Sequence, residues 1–221
     1  MASEKTIGRL SLYRRLLRVM RNRGVERVFS HELAAAARVT AAQVRRDLMG
    51  LGYTGSPVRG YEVAKLKESI AATLEGPVPE GVALVGIGRL GRAIMSYFRG
   101  RRPKLAIVVA FDADPAKVNR VIHGCRCCPV EEMEQVIRES NIRLAVIAVP
   151  ASQAQAVADR LVGSGVRGIL NLAPMPLQLP PGVYVEALDM TGALEKVAYF
   201  ARQAQAGGGT PGAAGGPEAP T

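Results

Sequence analysis

Gly86, Gly88 and Gly91 follow the apolar run Val82–Val85 at G-x-G-x-x-G spacing, and Asp112 closes the next apolar run. These residue types in this order suit a dinucleotide. Gly86 permits a tight turn, Gly88 lets a pyrophosphate approach the backbone, and Gly91 lets the following helix pack closely on the strand. The amides at the start of that helix then hold the diphosphate. Asp112, 21 residues past Gly91, is placed to accept both ribose hydroxyls. An acid there repels the extra phosphate of NADP(H), so the spacing points to NAD(H), with Lys117 on the adenosine side. A glycine triplet alone is weak evidence; strand, glycines, helix, strand and acid in sequence form a much more specific pattern.

The elements that must position these residues alternate. Strands are expected at 82–86, 105–111, 144–149, 168–172 and 183–188. Helices are expected at about 89–99, 115–121, 131–140, 152–163 and 190–203, with Ser152 to Gln155 as a capping box. Such alternation predicts an α/β, Rossmann-like, doubly wound parallel sheet over residues 82–188.

A second set of chemistry-bearing residues precedes the glycines. Residues 1–77 carry 14 Lys+Arg against 7 Asp+Glu, so much of the chain's net charge of +10 sits there. Ile7, Leu10, Tyr13, Leu17 and Met20 recur at helical spacing up to Gly24, and Ser30 is expected to cap a second helix. Thr40 to Gln43 forms a capping box for a third, ending at Gly50. That helix sets Val44, Leu48 and Leu51 on one face and Gln43, Arg45, Arg46 and Met49 on the other. Gln and Arg suit adenine and guanine edges in the major groove, and the order of elements is that of a helix-turn-helix. Tyr53 to Val63 reads as two short strands around a Gly/Ser/Pro turn, a wing whose Arg59 reaches DNA. The expected organisation is a winged-helix domain at 1–76 and a linker at 77–81 before the nucleotide domain.

The chain has 221 residues, 48% of them apolar, and no apolar run approaches the ~20 residues that span a bilayer. It therefore reads as cytoplasmic. Its only histidines are His31, in the basic region, and His123, and one domain's worth of chain follows residue 81. That favours ligand sensing over turnover. A small NAD-dependent oxidoreductase and a sensor of another nucleotide such as coenzyme A stay open as alternatives. Cys125 and Cys128 have CxxC spacing near His123, but a zinc site needs a fourth ligand, so no metal is expected. A thiol switch beside Arg126 is weighed against ordinary reduced cysteines in a loop, which is favoured. Residues 206–221 lack core-forming side chains and are expected to be disordered.

Together these residues resemble the Rex family of redox-sensing transcriptional repressors. The resemblance runs from about Ile7 to Gln203. It rests on Arg9-Leu10 with Tyr13 and Arg15, Gln43–Asp47, Gly60-Tyr61, the glycine loop, and Phe111-Asp112 with Asp114-Pro115. Val149-Pro150, Gly168–Asn171 with Ala173-Pro174, and Asp189 complete it. It implies a homodimer that binds palindromic operator DNA and is released by NADH, with a C-terminal helix, residues 189–205, exchanged between subunits. Carried over by position, Gly86, Gly88, Arg89, Leu90, Gly91, Asp112, Pro150, Asn171, Ala173 and Pro174 line the NAD(H) site. Arg15, Tyr97 and Asp189 match the polar set that links nicotinamide to the DNA-binding domain. The chain departs from the family at Gly50-Leu51, where an aromatic pair is usual, and at Pro57, where the wing usually carries arginine.

Overall fold

The computed structural model describes residues 2–56, 58–100 and 104–207. Pro57 of the expected wing and residues 208–221 of the expected tail lie outside them. The chain forms two compact units, Met1–Pro79 and Glu80–Thr221, so the boundary falls inside the expected linker.

The first unit contains α1 (Glu4–Asn22), β1 (Arg27–Val28), α2 (Ser30–Ala37), α3 (Ala41–Met49), β2 (Tyr61–Glu62) and α4 (Val63–Leu74). Leu10, Tyr13 and Leu17 of α1 pack with Leu33, Val44, Leu48, Leu66 and Ile70 in one core. Thr40 caps α3 as expected, its hydroxyl accepting from the Gln43 amide at 3.1 Å. Ser30 does not cap α2. The helix is entered through Phe29, whose amide donates to the Glu32 carboxylate at 2.7 Å. Glu32 reaching back meets the need that a hydroxyl would have met.

The wing also differs from expectation. Only its second half is a strand, and it pairs antiparallel with β1, which the sequence did not announce (Arg27↔Glu62, Val28↔Tyr61). The first half contributes one bridge, Ser56↔Gly60. Gly60 sets this path: it has φ 63°, and a side chain there would stand 2.7 Å from the Val28 carbonyl oxygen. Only glycine lets the chain turn in so close to β1.

The second unit contains β3 (Glu80–Val85), α5 (Arg89–Phe98), β4 (Leu105–Asp112), β5 (Arg120–Ile122) and β6 (Cys125–Pro129). A 3₁₀ turn leads to α6 (Met133–Glu139), followed by β7 (Leu144–Ile147), α7 (Ala151–Gly163), β8 (Gly168–Asn171), β9 (Tyr184–Ala187) and α8 (Met190–Gly207). Strand order is β5-β6-β4-β3-β7-β8-β9, and only the β5–β6 pair is antiparallel. The chain thus winds outward both ways from β3, which puts the ligand crevice at the carboxyl ends of β3 and β7.

Four expectations fail in this unit. No helix forms at 115–121; that stretch leads into the β5–β6 hairpin. His123 (φ 50°) and Gly124 (φ 79°) are both left-handed, the two-residue turn whose twist suits a tight hairpin. The cysteines consequently lie on strand β6 and not in a loop. Ser152 does not cap α7, which starts at Ala151 behind Pro150; Gln155 donates to Asp159 and to the Gln178 carbonyl oxygen. Finally, α8 continues through Ala206 and Gly207, the first residues of the expected tail.

Each face of the sheet carries a core. Val85, Phe111, Cys128 and Ile147 pack under Met133 and Ile137 of α6 and Ala154, Ala158 and Leu161 of α7. On the opposite face Val82, Leu84, Ala110, Cys125 and Cys127 pack with Met95 of α5. Beside α5 that face retains a groove of about 230 Å³, lined by Ile107, Leu144, Val146, Leu170 and Tyr184 among others.

Candidate nucleotide site and nucleic-acid interface

The turn after β3 is fixed by its neighbours on both sides. The Gly86 amide donates to the Phe111 carbonyl oxygen, and the Ala148 amide to that of Val85, each at 2.8 Å. Gly86 has φ 101°, and a side chain there would run into the Ala148 carbonyl. A side chain at Gly91 would overlap the Gly86 carbonyl oxygen, which is the close helix-to-turn approach the spacing implied. Gly88, at the cap of α5, has open space where a side chain would stand. Its lack of a side chain leaves the amides of the first turn, at Arg89 to Gly91, without a side-chain cap.

Asp112 ends β4 with its carboxylate held at this turn. It accepts from the Ile87 amide at 2.6 Å and the Asp114 amide at 2.9 Å. Lys117 lies 3.4 Å from Asp112 and 3.3 Å from Asp114. Burial works against the Lys117 charge, but the hydrogen bond to Asp114 and the charge of Asp112 outweigh it and raise its pKa. Pro150 opens α7 past the end of β7. Asn171, fully buried at the end of β8, donates to the Met175 carbonyl oxygen at 2.8 Å and accepts from the Ala173 amide at 3.1 Å. It thereby shapes the Ala173-Pro174 loop. All the expected nucleotide-site residues follow or end parallel strands on the same sheet edge. The glycine turn, the opening at Gly88 and the fixed carboxylate fit a dinucleotide with a free ribose diol.

The three residues of the expected redox link occupy different elements. Arg15 is exposed on α1. Tyr97 is 55% exposed near the end of α5, edge-on to Phe98. Asp189 caps α8, accepting from the Gly192 amide at 2.9 Å.

The thiol-switch alternative is not supported. Cys125, Cys127 and Cys128 are reduced and buried, and Cys128 packs on the opposite face of the sheet from the other two. Strand alternation separates the two ends of the CxxC spacing. Burial pushes the Cys125 thiol up to about 12 and raises Cys127 and Cys128 as well. Among the described residues no group of three metal-ligating side chains converges.

In the first unit, Arg45 and Arg46 project from α3 into solvent, and Arg59 projects from the wing. Arg45 donates to the Ser30 hydroxyl at 3.1 Å, which ties α3 to the start of α2. The Thr40 hydroxyl is engaged in capping. Gln43 is half-buried and bonded at both ends of its amide, to Asp47 and to Arg46. Sequence reasoning gave Asp47 no role of its own, although it is the one charged residue buried among those described. Burial alone would raise its pKa, but hydrogen bonds from Arg9, Gln43 and Tyr13 more than offset this and hold it lowered.

Residues 2–48 match the family model described as a putative DNA-binding protein N-terminus, and residues 79–175 match that of the CoA binding domain. The chain is 46% identical over 194 residues to the redox-sensing transcriptional repressor Rex of Roseiflexus sp. (strain RS-1), covering 88% of each chain. It is 43% identical to the Rex of Chloroflexus aurantiacus, covering 90% of this chain and 94% of the relative. Among solved structures it superposes on RSP in complex with β-NAD+ and operator DNA with a TM-score of 0.85 and 30% identity, over 93% of this chain and 95% of RSP. RSP in complex with β-NADH gives 0.82 at 29% identity, over 93% and 97%. Identity at this level over nearly the whole length, on the same two-part architecture, means that the chain belongs to the Rex family of redox-sensing transcriptional repressors.

Proposed function

We propose that this protein binds operator DNA through its first unit and is released when the second unit binds NADH. The observation that carries this reading is the Asp112 carboxylate fixed beside the glycine turn, in a chain whose other unit presents Arg45 and Arg46 on an exposed helix face. Gly86, Gly88, Arg89, Leu90 and Gly91 receive the diphosphate, Asp112 the ribose diol, and Pro150, Asn171, Ala173 and Pro174 border the nicotinamide end. The nicotinamide supplies the signal, because its oxidised ring is cationic and its reduced ring is neutral. Asp189, capping α8, is the acid that responds, with Tyr97 and Arg15 completing the link. A ligand shifts a conformational equilibrium only by its differential affinity for the two states, so the protein must favour NADH in its released form.

The working unit is a homodimer. Helix α8 leaves Leu194, Val197 and Phe200 at 69%, 64% and 66% exposure, and the sheet retains an apolar groove. Exchange of α8 between subunits supplies that helix with an apolar partner. Release then means that the paired α3 helices leave the ~34 Å spacing of successive major grooves. A regulator of this kind works beside the chromosome, in the cytoplasm, and without turnover.

The match to a CoA binding domain favours one other reading, a sensor of coenzyme A. Asp112 argues against it: coenzyme A carries a phosphate on its ribose, which a carboxylate repels. Capture of genomic fragments on the purified protein at fixed salt, followed by separate elution with NADH, NAD+ and coenzyme A, tests the proposal. Selective elution of a few palindromic sites by NADH is expected; retention indifferent to NADH overturns it.

A further inference from the structure

The buried Asp47 carboxylate accepts four hydrogen bonds. Arg9 of α1 donates from Nε at 2.6 Å and from Nη2 at 2.7 Å, Tyr13 of α1 donates at 2.9 Å, and Gln43 Nε2 donates at 2.8 Å. Thr6 accepts a second bond from Arg9 Nη2 at 3.2 Å, so the guanidinium is held from behind. The Asp47 side chain is 3% exposed. This cluster braces α1 against α3, which is what a structural role asks of it.

It does something more specific at its outer end. An ionised carboxylate only accepts, so the Gln43 amide must turn its NH₂ inward to Asp47. Its Oε1 is thereby directed to Arg46, which donates from Nη2 at 2.9 Å. The chain of contacts runs from the core of the unit to an exposed guanidinium on the face of α3. A two-point contact with adenine needs the oxygen and an N–H of one side-chain amide together. In Gln43 each end already makes one bond within the protein, to Asp47 and to Arg46, so the orientation of the amide is set by these neighbours and not by a base. Arg46 gives one of its five N–H groups to Gln43, which leaves donors for the two-point contact with guanine O6 and N7.

We infer that Asp47 is a positioning residue for sequence reading: through Gln43 it orients Arg46 toward a guanine, and Gln43 reads no base of its own. The inference rests on the DNA-binding reading above and deepens it. It makes Gln43 a relay, where residue type alone would make it an adenine reader.

The test uses the full-length protein. Selection from a randomised duplex library at fixed salt first defines the wild-type site; every single-base variant of that site is then titrated against wild type, Gln43→Ala, Arg46→Ala, the double variant and Asp47→Asn. Arg46→Ala is expected to lose a roughly ten- to hundredfold preference for guanine at one position. Gln43→Ala is expected to relax that same position, and the double variant to be no worse there than Arg46→Ala alone. Asp47→Asn, where thermal unfolding shows it folded, should relax the position too; where it does not fold, the Gln43/Arg46 cycle decides. Gln43→Ala relaxing a separate adenine position, additively with Arg46→Ala, overturns the inference. So does a loss of affinity equal for all sequences, which a purely structural brace would give. A wild-type protein that selects no sequence overturns the DNA-binding reading, and this one with it.

Discussion

Replacing Asp112 by Ala separates the two tasks of this residue. In the ligand-free fold its carboxylate accepts from the Ile87 and Asp114 amides at 2.6 and 2.9 Å, and its side chain is 12% exposed. Hydrogen bonds to a charged acceptor contribute roughly 1.5–3 kcal/mol each. Ile87 is fully buried, so its amide is poorly placed to recover a partner from water. Lys117 keeps Asp114, 3.3 Å away, and adds little to the loss. The expected destabilisation is about 2–4 kcal/mol, allowing for partial rehydration of the Asp114 amide. For a chain of this size that lowers the thermal midpoint by roughly 5–15 °C. The same substitution removes both acceptors of the ribose diol, so NADH affinity should fall by roughly a hundredfold or more. Differential scanning calorimetry gives the first quantity and isothermal titration with NADH the second. Asp112→Asn keeps one oxygen for the Ile87 amide and loses the charge, so its midpoint should fall between those of wild type and Asp112→Ala. A thermal midpoint within about 1 °C of wild type would show that the two amides do not depend on the carboxylate. Unchanged NADH affinity would remove Asp112 from the site.

Gly91→Ala should reduce NADH affinity at least about tenfold while DNA retention persists, because the new methyl group meets the Gly86 carbonyl oxygen and the backbone on both sides must part; equal NADH titrations would refute the packing argument. The three cysteines should resist iodoacetamide at pH 8 in the native protein and react in urea, since burial raises all three thiols above their usual range. Rapid native labelling, read by mass spectrometry, would contradict their burial. Asp47 has a lowered pKa in the fold, so its ionised form contributes stability fully above the ordinary value of 3.8, and that contribution is lost as pH falls through the lowered value. The gap in urea midpoint between wild type and Asp47→Asn should therefore hold at neutral pH and narrow only below about pH 4. A gap that stays constant down to pH 2 would mean the charge is not what stabilises the contact.

The legible parts of this chain were those whose signal is carried by neighbours in sequence. Val82–Val85, the three glycines and Asp112 each answer to a local demand, and the structure joins them at one sheet edge. Thr40 is a comparable case, a cap satisfied three residues away. Residues 115–128 were not legible, because their conformation is set by the sheet. β6 exists because it pairs with β4 from Val109↔Arg126 to Asp112↔Pro129, and β5 exists because it pairs with β6. The local cue was a His-Gly turn, weaker than the Asn-Gly that would have announced a hairpin. Once β6 is a strand, the CxxC spacing loses its meaning, since Cys125 and Cys128 point to opposite faces.

Asp47 shows the same limit from the other side. Val44 and Leu48 define the apolar face of α3, and an acid beside them reads by default as solvated. Burying that acid requires donors from another element. Arg9 and Tyr13 supply them from α1, 38 and 34 residues away. Their own spacing held the cue: a cation and a phenol at i and i+4 on one helix share a face, and a face that carries the buried Tyr13 must also bring Arg9 near the core. A basic side chain so placed needs an acid, and the cation-bearing first unit has few to offer. Glu32, like Asp47, precedes a core leucine, but it is used at the start of α2, where it accepts from the Phe29 amide; Asp47 turns instead to Arg9 and Tyr13, with Gln43 one turn earlier to pass the constraint outward. The Arg9–Asp47 pair and the exposed Arg46 are thus one arrangement, in which the residue that settles how α3 is held also settles where its guanidinium points.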